Sequence, residues 1–93
     1  MNLYLAILIP EDSDSWSAHI PDFPSCSAAS SNADLAKMRV AQEVAILVGE
    51  MRKSGGRPPL PRPLEDVRAD REWASDRKLD WSRAVVTMVE VRA

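Results

Sequence analysis

Residues 3 to 9 read Leu-Tyr-Leu-Ala-Ile-Leu-Ile, apolar at every position. A run this short and apolar on both parities predicts a central β-strand covered on two faces, and Pro10 is expected to end it. Glu11-Asp12-Ser13-Asp14-Ser15 is a polar turn. Beyond it Trp16, Ala18 and Ile20 alternate with Ser17 and His19, the pattern of a half-buried antiparallel strand, so the two strands should form a hairpin. Pro21-Asp22-Phe23-Pro24 turns the chain, and the small residues from Cys26 to Ala29 predict a short third strand.

A helix follows. Ser31 can cap a free backbone N–H and Asp34 lies in the first turn, where the helix dipole favours an anion. At about 100° per residue, Ala33, Ala36, Val40, Val44, Leu47, Val48 and Met51 share one stripe, while Arg39, Gln42, Glu43, Glu50 and Lys53 lie mostly opposite. Leu35, Met38 and Ile46 fall outside the stripe. The helix should run to about Lys53 and end at Ser54-Gly55-Gly56. Arg57-Pro58-Pro59-Leu60-Pro61-Arg62-Pro63 lacks too many N–H donors for helix or central strand and reads as an extended connector, with a PxxP peptide ligand as the alternative. Leu64 to Arg71 has room for one or two helical turns, Glu72 to Ser82 is charged and weakly patterned, and the stretch up to Val91 is a β-branched last strand, again apolar on both parities. The order is β-β-β-α-β in one domain spanning residues 1–93: an α+β fold with a mixed four-stranded sheet, packed by one main helix, and the last strand returning beside the first.

The formal net charge of −2 provides no basic field for a phosphate backbone, which argues against direct nucleic-acid binding. Cys26 is the only cysteine, so neither an internal disulfide nor a multi-cysteine metal site is available, and a reducing, cytoplasmic location is expected. The apolar opening is too short for a membrane span and has no basic leader.

Taken together, the apolar first strand, the acidic turn, the aromatic second strand, Pro21-Asp22-Phe23-Pro24-Ser25-Cys26, the capped helix, the connector with Gly56, Pro58, Pro59 and Pro61, and the valine-rich last strand resemble the HicB-like antitoxin family of bacterial toxin-antitoxin systems. Ser25 stands where that family often has glycine, and Ala28-Ala29-Ser30 replaces its glycine-containing approach to the helix. The resemblance implies a partial RNase H-like fold without nuclease activity or cofactor, which neutralises a small basic mRNA-cleaving toxin of the HicA type by binding it. Many relatives append a DNA-binding domain for which these 93 residues leave no room, so a short member without that extension, or DNA binding delegated elsewhere, is expected. The alternative is an orphan oligomeric binding module that recognises a small ligand or another protein.

The residues are consistent with a non-enzyme. An RNase H-type nuclease holds two metal ions with strand carboxylates, and the first strand has none. His19 and Cys26 could form a thiol–imidazole pair, but a proline-rich turn separates them and no third residue orients them. Glu11, Asp12 and Asp14 read as a solvated turn that could also steer a basic partner. Trp73 and Trp81, in a charged segment, either staple the connector to the domain or anchor an interface. One helix covers one sheet face, so the doubly apolar first and last strands require a second cover. Tyr4, Ala6 and Leu8 with Val86 and Met88 are taken as the set left for a homodimer or higher oligomer, against Leu3, Leu5, Ile7 and Ile9. The cover is a second copy, a toxin, or the Trp73 to Trp81 segment folding back.

Overall fold

A computed structural model describes residues 2–91. In chain order the elements are β1 (Asn2–Asp12), β2 (Ser15–His19), β3 (Ser27–Ser30), α1 (Ala33–Lys53), α2 (Leu64–Ala69), α3 (Arg71–Asp76) and β4 (Val85–Val91). The sheet order is β3-β2-β1-β4, with the last strand beside the first as expected. Every neighbouring pair is antiparallel. The sheet is therefore not mixed: the chain does not cross directly from α1 into a strand parallel to β3, but runs through the connector, α2 and α3 and enters β4 from the opposite end.

Pro10 does not end β1; it pairs with Trp16, and the strand continues through a register shift between Pro10 and Asp12. The β1–β4 ladder stops at Leu8 opposite Val85. Beyond that point one side of β1 is an edge, where a residue without an N–H breaks no ladder bond.

Two apolar layers enclose the sheet. On one face Tyr4, Ala6 and Leu8 of β1, Ala18 of β2, and Val89 and Val91 of β4 pack with Ile20, Phe23 and Cys26 against Ala36, Val40, Val44 and Val48 of α1. Burying a side chain of Val or Ile size contributes about 1.5–3 kcal/mol, so the four-residue spacing on α1 is the main adhesive of this layer. On the other face Leu5 and Ile7 pack with Val67 of α2 and Trp73 of α3, flanked by Ile9, Leu64, Leu79, Trp81 and Val86. The Trp73 to Trp81 segment is thus the second cover. Tyr4 and Ala6 are fully buried and Leu8 nearly so, which corrects the expectation that they form an oligomer surface with Val86 and Met88: the helix took these three, while Val86 and Met88, paired with Ile7 and Leu5, lie on the other face of the sheet.

The ends of α1 follow local chemistry. The cap is Asn32 and not Ser31, its Oδ1 accepting the Leu35 N–H at 2.8 Å. At the other end Gly55 adopts φ +82°, its N–H donates to the Arg52 carbonyl, and the Gly56 N–H donates to that of Met51. This paired closure needs a left-handed residue, the reason for glycine there.

Candidate functional site

The Pro21-Asp22-Phe23-Pro24 turn is a structural clasp. Its Phe23 N–H donates to Ile20 carbonyl and its Cys26 N–H to Phe23 carbonyl, folding the turn so that Phe23 meets the Tyr4 ring edge-on with centroids 4.9 Å apart. The Asp22 side chain is 2% exposed and lies against Arg62 of the proline-rich connector. Arg62 donates from Nε to Asp22 Oδ1 at 2.8 Å and from its backbone N–H to Oδ2 at 3.2 Å. Its two other nitrogens reach the Pro21 carbonyl and Asp70 Oδ2. Asp70 in turn caps α3 by accepting the Trp73 N–H at 3.1 Å. The Tyr4 hydroxyl donates to the Pro59 carbonyl at 2.7 Å and holds the connector at a second point. Connector, turn and second layer are therefore one hydrogen-bonded unit, and the Arg62 guanidinium is held further above its already high range, chiefly by its hydrogen bond to Asp22.

In the second layer Trp73 is 5% exposed, with its ring centroid 6.4 Å from that of half-buried Trp81. Arg77 lies over Trp73 and Arg68 over Trp81, at 4.7 and 5.0 Å from the ring centroids. Arg77 also donates to the carbonyls of Trp73 and Pro24, at 3.0 and 2.7 Å. Trp73 takes the staple role, because its ring packs against Leu5 and Ile7.

Glu11, Asp12 and Asp14 are all exposed at the β1–β2 turn. Asp12 Oδ1 accepts the Asp14 N–H at 2.8 Å, and this bond, with one to Ser15, lowers the Asp12 carboxyl below its ordinary value of 3.8. Glu11 Oε1 accepts from the Ser17 hydroxyl at 2.5 Å, and His19 Nε2 lies 3.1 Å from Ser17 Oγ. With the Ser17 proton directed at Glu11, His19 Nε2–H is the donor and Nδ1 is left as a buried acceptor with no partner. Burial, reinforced by Arg77, lowers the His19 pKa below 6.5. The arrangement is not a catalytic relay, since the acid holds the serine and nothing orients the outer imidazole nitrogen. Burial raises the Cys26 thiol, with the charge of Glu43 adding to it, which favours the protonated thiol over the thiolate. Among the described residues no group of three or more His, Cys, Asp or Glu is placed to hold a metal ion.

The whole described chain, second layer included, superimposes on known structures. The N-terminal domain of Burkholderia pseudomallei antitoxin HicB matches with a TM-score of 0.75 at 17% identity, covering 98% of this chain and 99% of that one. The chain has the fold of a HicB antitoxin N-terminal domain. The longer Burkholderia pseudomallei HicB matches equally well, TM-score 0.75 at 18% identity, and this chain spans 63% of its length. A chain of the HicA3 and HicB3 toxin–antitoxin complex matches with a TM-score of 0.61 at 14% identity over 98% of this chain and 99% of that one. No protein-family model and no curated protein matches the sequence. Among the described residues no helix is long and apolar enough to cross a membrane.

Within this HicB fold the acidic turn is the fully exposed part of the expected binding set, Trp81 is half-buried and Trp73 is buried. Sequence reasoning had no role for Asp22 and Arg62. The available signal was a lone arginine between prolines and a lone aspartate inside an otherwise apolar turn. It also passed over the exposed acids Glu65, Asp66, Glu72 and Asp76 of α2 and α3, which stood in a segment without periodicity.

Proposed function

We propose that the protein is a non-enzymatic, cytoplasmic bacterial antitoxin that binds and masks a small basic mRNA-cleaving toxin of the HicA type. The observation that carries this reading is the near-full-length likeness to the HicB antitoxin N-terminal domain, joined by a likeness to a chain of a toxin–antitoxin complex. Charge supports it: an RNA-cleaving protein needs a basic surface for its substrate, and Glu11, Asp12 and Asp14 project together from one turn. Such a cluster accelerates encounter with a basic partner, and buried contacts then set the residence time.

The test is stopped-flow mixing of the purified chain with the product of the neighbouring gene, together with growth rescue on co-expression. Association and rescue are expected. If the neighbouring protein is harmless or fails to bind, the antitoxin reading is wrong, and the fold serves instead as an orphan module for a small ligand or another protein.

A further inference from the structure

His19, the single histidine of the chain, lies in β2 with Ile7 of β1 as its register partner on one side and Ser27 of β3 on the other. Register partners share a face of the sheet, so the imidazole stands on the face where Ile7 packs with α2 and α3. One ring nitrogen is used: Nε2 lies 3.1 Å from Ser17 Oγ, and the Ser17 hydroxyl donates to Glu11. The other, Nδ1, is buried and has no hydrogen-bond partner among the described residues. A neutral ring presents a bare acceptor there. A protonated ring presents an N–H with nothing to receive it and a charge short of water, and both are costly.

The charged groups that act on the ring are Arg77 of α3 and Glu11 of β1. Ser17 and Ser27 bring no charge from β2 and β3, and Asp22 of the adjoining turn is committed to Arg62. Arg77 fastens α3 to that turn, donating to the Pro24 carbonyl at 2.7 Å while its other terminal nitrogen donates to the Trp73 carbonyl at 3.0 Å. α3 has only six residues, too few to hold a helix alone, so its end depends on such fastenings. A positive charge on His19 pushes on Arg77. Of the two, Arg77 is free to move, because it is half-buried at the end of a helix while His19 is locked in a strand paired on both sides. It also has somewhere to go: a cleft of about 250 Å³ that Arg77 itself lines carries the carboxylates of Asp70, Glu72 and Asp76.

We infer that His19 and Arg77 form an acid-operated latch: a proton taken up at Nδ1 drives Arg77 from the Pro24 carbonyl into the acidic cleft and frees the C-terminal end of α3 from the Pro21 to Pro24 turn. The N-terminal end of α3 stays tied through Asp70, which caps it and pairs with Arg62. Asp70 is held below 3.8, chiefly by the Trp73 N–H, and so keeps its charge where histidine titrates. Burial first and Arg77 second keep the latched imidazole below 6.5, so opening lets it take the proton more readily and acid favours the open form. The α1 layer, on the opposite face, stays closed. The latch does not depend on the toxin-binding reading.

Amide hydrogen exchange of the full chain without a histidine tag, measured by NMR, tests it. The amides of Arg77, Lys78 and Leu79 close the end of α3 on the carbonyls of Ala74 and Ser75. With rates corrected for intrinsic exchange, their protection is expected to fall at least about fivefold between about pH 7.5 and about pH 5.5, with a midpoint matching the titration of the lone imidazole. Val40, Val44 and Val48 of α1 should keep theirs. His19→Gln, which retains a donor towards Ser17 and takes up no proton, should abolish the fall, and Arg77→Gln, which removes the repelled charge, should leave protection independent of pH. No fall in the wild type, a fall that persists in His19→Gln or in Arg77→Gln, or one shared equally by α1 would each overturn the latch.

Discussion

Arg62 closes on Asp22 at 2.8 Å across 40 residues of sequence, and the carboxylate it meets is almost wholly out of solvent. A buried charge is tolerated when it is paired and hydrogen-bonded, and here the guanidinium supplies both while its third side, half-open to water, reaches Asp70.

Removing one partner therefore leaves the other uncompensated. Arg62→Ala is expected to cost about 2–3 kcal/mol, below the larger losses seen for fully buried pairs because Arg62 is itself partly exposed. Arg62→Lys should fall between the two, keeping the charge without the planar fork. Urea denaturation measures both; a loss in Arg62→Ala below about 0.5 kcal/mol would mean that water replaces the guanidinium.

Trp73→Ala should cost about 3–5 kcal/mol in the absence of any partner, since it empties the centre of the second layer. Trp73→Phe keeps the ring and removes an indole N–H that is buried without an acceptor, so its loss should stay under about 1.5 kcal/mol. Thermal melts of the two variants distinguish a core staple from an interface anchor, which would leave the melting temperature of the free protein unchanged.

His19 makes stability depend on pH. Its pKa in the folded protein lies below the unfolded value of 6.5, from burial first and Arg77 second, so the unfolded chain binds the proton more readily. The stability tied to neutral His19 is whole above the unfolded pKa and is lost as pH falls from there towards the lowered folded value. Asp12 and Asp70, held below 3.8 mainly by backbone N–H groups, withdraw their contributions only at more acid pH. Denaturation midpoints between pH 7 and pH 5 should fall in the wild type and stay nearly flat in His19→Gln; equal slopes would assign the effect to another group.

Glu11→Gln, Asp12→Asn and Asp14→Asn combined keep the hydrogen-bond acceptors for Ser17 and the Asp14 N–H while removing the charge. The fold should be unaffected. Association with the proposed basic toxin should slow and lose salt dependence, with little change in dissociation. An unchanged association rate in stopped-flow would place the steering elsewhere, with the acids of α2 and α3 next to be neutralised.

The four strands and α1 were legible in the sequence because each depends on nearby residues, whereas α3 lay in a stretch without a readable period. Alternation from Trp16 to Ile20 sets a strand, the Val40, Val44 and Val48 spacing sets a helix face, and Gly55 supplies the left-handed residue that ends it. The likeness of the Pro21 to Cys26 run to HicB-like proteins likewise pointed to the right fold. Local pattern was silent wherever two answers satisfied it equally. β1 is apolar on both parities, so only packing decided that Tyr4, Ala6 and Leu8 meet α1 while Leu5 and Ile7 meet Trp73. The direction of β4 followed from the path of a connector whose own sequence carries no period. Asp22 and Arg62, far apart in the chain, became a pair only when the turn and the connector met, because the desolvation that makes their contact matter does not exist until the protein has folded around it.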